Sequence, residues 1–397
     1  MTYYQIYRNW IVFYLASNTI MATVGSFLDL RGPITQVYLV GLLLFDLGFV
    51  IYGIHFRKLS FKPIELLLIA LLLFSFFKMT VFNPFTFSRR IFTDLSNPLL
   101  FILKIALLRR CLHEEQNLNA VLKRFSRYLF IASAVTIVTF FIYSRIRSIY
   151  VGMTPPIEIP FAFNLLGGSY LKAFSSFVII LFSGKRSFLL ASLIVFIAYS
   201  FFIHKKYWAA KFTGLAVIVL LFMTLVPVLI NSEFAAIQKY VFTFTTLLES
   251  DIELGSEEYF DIVDRVSGGR FSEISYSLQS FKQFDFVFGK GPGYTYRLEH
   301  EASDFVDAEY SNVHFTPINL FSKYGIIFTG SLFFYLLQPL FRRNGIDKRR
   351  TLFKMLFSMY LIEMLFAFNI FVEPLIPFCL GYLTYKPLPK IYGKENS

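Results

Sequence analysis

Cysteine is almost missing from this chain of 397 residues, with only Cys111 and Cys379. Two cysteines build no disulfide framework. Histidine is scarce as well, at five residues. Charged residues make up only 16%, against 56% hydrophobic and 19% aromatic, and the mean hydropathy is +0.58. A soluble domain of this length does not carry that composition. The N-terminus lacks a basic stretch followed by a small-residue cleavage site, so the first apolar run reads as an uncleaved helix. Internal repeats and low-complexity tracts are absent from the sequence. So are the alternating ten-residue strands of a membrane β-barrel. Acidic residues are thin over most of the chain and gather in one place. Of 26, 15 fall in residues 232–313, against 6 Lys or Arg, a net of −9. The rest carries 32 basic and 11 acidic residues, a net of +21.

What is present is a series of apolar runs near twenty residues, separated by short basic turns. They lie at about 9–28, 34–54, 62–82, 91–108, 128–144, 164–183, 187–203, 212–231, 315–340, 351–372 and 374–387. This pattern predicts an all-α fold, a polytopic transmembrane bundle of 11 or 12 helices. One large outer loop containing short helices interrupts it. The chain then divides into helices of residues 1–231, the loop 232–313, and helices with a tail at 314–397. Basic turns at Arg57-Lys58, 109–127, Lys205-Lys206 with Lys211, and 342–350 belong in the cytoplasm by the positive-inside rule. The same rule accounts for the net charge of +12, so no nucleic-acid partner is expected. Residues 145–163, with Arg145, Arg147, Pro155, Pro156, Glu158 and Pro160, are too polar for a plain span. Either 145–183 holds an irregular or re-entrant element buried in protein, or one span is misplaced.

Inside the loop, Phe271, Ile274, Leu278 and Phe281 recur at helical spacing and predict an amphipathic helix. Ser267-Gly268-Gly269 precedes it as a turn, which puts Arg270 at the helix start. Basic residues on the outer side carry the most information, because topology does not require them there. These are Arg186 at an outer turn with Lys185 beside it, Arg270 and Arg297 in the loop, and Arg145 and Arg147 after the fifth apolar run. Convergent guanidinium groups suit a phosphate or pyrophosphate, whose oxygens they bind in a fork. The alternative is ion pairing with the loop's own carboxylates. Gly289-Lys290-Gly291-Pro292-Gly293 is neither a P-loop nor a Rossmann fingerprint. It is a tight turn whose backbone packs closely against a ligand or against the outer helix ends. His314 borders the next apolar helix, either as an interfacial residue or as a general base for a hydroxyl. Glu273 and the other loop acids match no calcium loop. Asp46, Lys78, Lys104, Lys172 and Glu363 interrupt apolar runs, the setting in which ionisable residues serve function. Lys78 and Lys104 lie near helix ends, where they would also snorkel.

Taken in order, these residues resemble the bacterial O-antigen polymerase and O-antigen ligase superfamily. The matching features are Ser183-Gly184-Lys185-Arg186, Arg270, Gly289-Lys290-Gly291-Pro292-Gly293, and Asn312-Val313-His314 leading to Leu320-Phe321-Ser322-Lys323-Tyr324-Gly325-Ile326-Ile327. Phe315 stands where that family usually has Asn, and Gly184-Lys185 split its Ser-Arg pair. The resemblance implies inverting glycosyl transfer at the periplasmic face of the bacterial cell inner membrane. The donor would be a glycan on undecaprenyl pyrophosphate, with no metal or other cofactor. His314, Arg270 and Arg186 would be catalytic. Lys185, Gly289, Lys290, Gly291, Gly293, Arg297, Glu273 and Arg145 would bind substrate. Membrane lipids and a chain-length regulator would be partners. A repeat-unit polymerase for O-antigen or capsule is the first reading, and a ligase acting on lipid A–core is the second. A lipid-linked oligosaccharide flippase, a different class, predicts internal repeats.

Overall fold

The computed structural model describes residues 3–28, 31–55, 59–82, 88–111, 118–147, 155–183, 185–203, 269–297, 309–342, 347–366 and 370–385, with a few single positions between 213 and 267. The chain is mostly helical. Five long helices come first: α1 (Tyr3–Leu28), α2 (Arg31–His55), α3 (Pro63–Phe82), α4 (Arg89–Cys111) and α5 (Leu118–Arg147). Three shorter ones follow, α6 (Glu158–Leu166), α7 (Tyr170–Phe182) and α8 (Arg186–Ala198), the last running into a π-turn at Tyr199–Ile203. Beyond lie α9 (Arg270–Gln279), α10 (Gln283–Phe288), α11 (Thr316–Phe341), α12 (Lys348–Leu365) and α13 (Leu375–Thr384). A two-residue antiparallel pair, β1 (Tyr296–Arg297) and β2 (Glu309–Tyr310), matches Arg297 with Glu309.

Among the described residues, three helices are long and apolar enough to cross a membrane: Pro63–Val81, Arg89–Arg109 and Thr316–Phe341. The expected span at 212–231, Lys205, Lys206, Lys211, His300 and most of the loop acids lie outside the described residues. The expected single span at 164–183 is instead α7, which begins only at Tyr170. Gly167 and Gly168 end α6 there, with Gly168 at φ 73°. The polar stretch before it holds α6, and Glu158, Ile159, Pro160, Phe161 and Ala162 are all buried.

Two ends of the helical body differ. At one end basic groups cap the last carbonyls of α13 and α11, where cations suit the negative helix terminus. Lys62 Nζ donates to Thr384 O at 2.8 Å and Arg350 to Leu383 O at 3.0 Å. Lys354 donates to Leu340 O and Arg342 O at 2.9 and 2.7 Å. Arg109 reaches Thr384 Oγ1 at 3.1 Å and pairs with buried Glu65, beside the Tyr335 hydroxyl. Deeper in, Asp46 pairs with Lys104 at 2.5 Å and accepts Trp10 Nε1 at 2.9 Å. Both charges are thus satisfied where they are buried. Lys172 is exposed.

The opposite end is organised by a break in α11. Gly325 sits at φ 77°, ψ 178°, so the helix stops and restarts there. The carbonyls of Ser322 and Lys323 accept instead from the amides of Lys290 and Gly291, at 2.8 and 2.9 Å. Contact is close enough that a Cβ on Gly289 would lie 2.4 Å from the Lys323 backbone, and one on Gly325 2.2 Å from Val287 O. The glycine turn is therefore the piece that fills the helix break. Asp94 on α4 completes the joint. Its carboxylate takes Lys323 Nζ and the Gly293 amide, each at 2.8 Å. Pro98, four residues on, has no amide to give Asp94 O. The Tyr324 hydroxyl donates to that carbonyl instead.

Candidate functional site

The site lies at this loop end and is built from two helix starts and one chain turn. Lys185 caps α8 in an extended conformation (φ −90°, ψ 100°), which makes Arg186 its first residue. Just before it, Ser183 Oγ accepts the Lys185 amide at 3.3 Å and donates to Ile180 O at 2.6 Å. Helix α9 begins at Arg270 after Gly269, whose left-handed φ of 81° turns the chain into the helix. Ser267 Oγ accepts the Arg270 amide at 3.2 Å. Asp264 takes the Ser272 amide and hydroxyl at 3.0 and 2.6 Å. The start of α9 is thereby fixed.

Arg186 lies within electrostatic reach of Arg270. Burial lowers the pKa of the half-buried Arg270 from its ordinary value, and the charge of Arg186 lowers it further, while Glu273 opposes both. Two like charges thus act on each other from two helix N-termini, where the macrodipole already disfavours cations.

Glu273 stands one turn after Arg270 and is 8% exposed. Its Oε2 accepts the His314 backbone amide at 2.9 Å, and its Oε1 lies 2.7 Å from His314 Nδ1. This pairing favours the tautomer with the proton on Nδ1, which makes Nε2 the basic nitrogen. Tyr296 is buried beside the same carboxylate. Burial first, and then the Glu273 charge, push its phenol above the ordinary range. The Thr316 hydroxyl donates to Met364 O, tying the His314 segment to the end of α12.

The amphipathic pattern of α9 is met in part. Ile274, Leu278 and Phe281 are half-buried, but Phe271 is 47% exposed, and the fully buried positions are Glu273 and Ser277. The helix turns its carboxylate inward because His314 is there. Ser277 O accepts the Tyr294 hydroxyl at 2.8 Å on the same face.

The other candidates fall in different places. Lys185 Nζ lies over the Phe188 ring, 4.3 Å from its centre, within electrostatic reach of Glu158, Glu363 and Glu373. Glu373 accepts the Tyr14 hydroxyl at 2.8 Å, and Glu158 accepts from Tyr360 at 3.4 Å. Gly289, Gly291 and Gly293 press against Lys323, Met79 and Ile91, so their close sides meet helix ends. Lys290 pairs with Asp285 at 2.9 Å and donates to Ser280 O at 2.6 Å. Lys78 reaches the same Asp285 at 3.2 Å. Burial opposes ionisation of Asp285, but the Lys282 amide, Lys290 and Lys78 outweigh it and hold the pKa below the usual value. Arg297 is exposed on β1. Arg145 falls in the last turn of α5, and its side chain lies outside the described residues.

The joint under the site, Asp94 with Lys323, is one that the sequence pattern does not reveal. The signal available was Asp94 four residues before Pro98. Among the described residues, no cluster of His, Cys, Asp and Glu is placed to hold a metal ion. An apolar cavity of about 240 Å³ lies between α6, α7 and α8, lined by Phe161, Leu165, Ala173, Phe177, Leu193 and Phe196. No family model, curated protein or solved structure matches the chain.

Proposed function

We propose that this chain is a polytopic membrane protein of 11 or 12 crossings that polymerises oligosaccharide repeat units carried on undecaprenyl pyrophosphate. It does so by inverting glycosyl transfer at the periplasmic face of a bacterial inner membrane. One observation carries the reading: two helix starts, each opening on an arginine, lie within electrostatic reach of each other, and the second helix also holds His314 through Glu273. An anion between Arg186 and Arg270 would relieve both their mutual repulsion and their mismatch with the helix dipoles. A pyrophosphate offers oxygens in the geometry that guanidinium groups fork. The positive-inside rule supports the sidedness, since the end bearing Lys62, Arg109, Arg350 and Lys354 belongs to the cytoplasm.

In the reaction an acceptor hydroxyl oxygen attacks the anomeric carbon from the face opposite the pyrophosphate. The new C–O bond forms as the bond to the leaving oxygen breaks. The electron pair departs on the pyrophosphate, whose growing charge Arg186 and Arg270 stabilise. The hydroxyl proton passes to Nε2 of His314. The leaving group is already activated, so the reading requires neither a metal nor a nucleotide sugar. The cavity between α6, α7 and α8 suits an isoprenoid chain by its lining, and the acidic loop offers acceptors to sugar hydroxyls.

The test is the glycan length profile of a strain lacking the protein. Single repeat units on an otherwise normal core support the polymerase. A bare core replaces it with the ligase or the flippase, and an unchanged profile rejects all three.

A further inference from the structure

We infer that α10 is seated in the interfacial layer of the bilayer, with Phe284 and Phe286 as its anchors. Both rings are turned outward, at 54% and 46% exposure, on a helix of only six residues. Each continues an apolar surface that begins on a candidate membrane span. On one side Phe284 lies 4.9 Å from Phe288, and Phe288 lies 5.1 Å from Phe74 of α3. Helix α3 leaves most of its surface outside the protein, with only 28% of its apolar window buried, and exposes Phe74, Phe77 and Val81. On the other side Phe286 lies 5.9 Å from Phe321, near the start of α11, which exposes Ile326 and Ile327 further along. Helix α10 therefore packs beside two candidate spans, near the last two turns of α3 and the first turns of α11, and continues their outward faces.

The charges fix the depth. Lys78 Nζ stands 5.1 Å from the centre of the Phe284 ring and also reaches Asp285, which Lys290 pairs with in turn. A lysine whose head lies over an outward ring and pairs with a carboxylate is the arrangement of a cation at the division between acyl chains and headgroups. Two outward phenylalanines facing bulk water would instead be an unrelieved hydrophobic patch. The partner is thus a lipid surface. This inference requires only that α3 crosses a membrane, and it stands whatever reaction the site performs.

The test uses full-length protein in vesicles of phosphatidylethanolamine and phosphatidylglycerol, with and without brominated acyl chains. Phe284→Trp and Phe286→Trp are compared with Gln279→Trp, an exposed position at the end of α9. The parent protein serves as the baseline for Trp10 and Trp208. The expected result is that brominated lipid removes most of the emission added at 284 and 286, and aqueous iodide removes little. Gln279→Trp should show the reverse. Either ring position being as open to iodide as position 279 overturns the inference. So does shielding from both quenchers, which means that protein covers the rings.

Discussion

Glu273 grips His314 at two points, with one carboxylate oxygen 2.9 Å from the backbone amide and the other 2.7 Å from Nδ1. Because Glu273 follows Arg270 by one helical turn, one helix both carries Arg270 and orients the His314 ring, and in the proposed reaction it would hold the leaving group and the base together. His314→Ala should lower polymerisation by about 10²–10⁴-fold, the usual worth of a positioned general base. Glu273→Ala should fall in the same range, and Glu273→Gln should lose less, because an amide oxygen still accepts one of the two bonds. The assay is polymer formation in membranes matched for protein level by immunoblot. Full activity in Glu273→Ala would separate the carboxylate from the chemistry.

The arginines predict a distinct pattern. Arg270→Ala and Arg186→Ala should each abolish elongation while the protein still inserts at normal levels. Lysine should rescue poorly, because an ammonium keeps the charge but not the fork. We expect at least about a tenfold loss for Arg270→Lys, the cost of about 1.4 kcal/mol in transition-state stabilisation. Polymers of normal length in both alanine variants would remove these residues from the site.

Much of this arrangement could be read from residue order, and the reasons are physical. Arg270 at a helix start follows from Ser267-Gly268-Gly269, since a left-handed glycine precedes the helix it caps. The break in α11 was hidden, because Gly325 lies in a run apolar enough to read as one helix. Asp94 and Lys323 were hidden for a related reason. Their partners are 229 residues apart in sequence, and no local pattern reports a long-range ion pair. The face of α9 departs from its apolar pattern at Phe271 and Glu273, because periodicity ranks residues by hydrophobicity. Glu273 is buried by its bonds to His314, which outweigh its cost of desolvation.

The glycine turn makes a prediction about stability rather than chemistry. Gly289 has φ 70° and ψ 175°, a region almost confined to glycine, and its added Cβ would meet the Lys323 backbone. Gly289→Ala should destabilise the protein by about 1–3 kcal/mol from backbone strain alone. Further loss should come from separating the turn and α11. Gly330→Ala is the control, since nothing lies within 4 Å of its Cβ position and it stays helical. Thermal melts of the purified proteins in detergent should show a lowered midpoint for Gly289→Ala only. Equal midpoints would mean that the turn yields without cost.

Asp285 should make the docking of the loop sensitive to acid. The Lys282 amide, Lys290 and Lys78 hold its pKa below the usual value of about 3.9 against the cost of burial. A carboxylate whose folded pKa is depressed stabilises fully above its unfolded value. That contribution is lost as pH falls through the folded value. The parent protein should therefore keep this contribution down to about pH 4 and lose it progressively below. Asp285→Asn removes the charge at every pH and leaves Lys78 and Lys290 facing a neutral amide. It should cost about 1.5–3 kcal/mol at neutral pH, as for hydrogen bonds to a charged group. The gap between variant and parent should then narrow in acid, as the parent's own carboxylate is protonated. Melts of both proteins from neutral pH down to about pH 3 test this. A gap that stays constant across the range would mean that Asp285 acts through shape, with its ionisation contributing nothing to the joint.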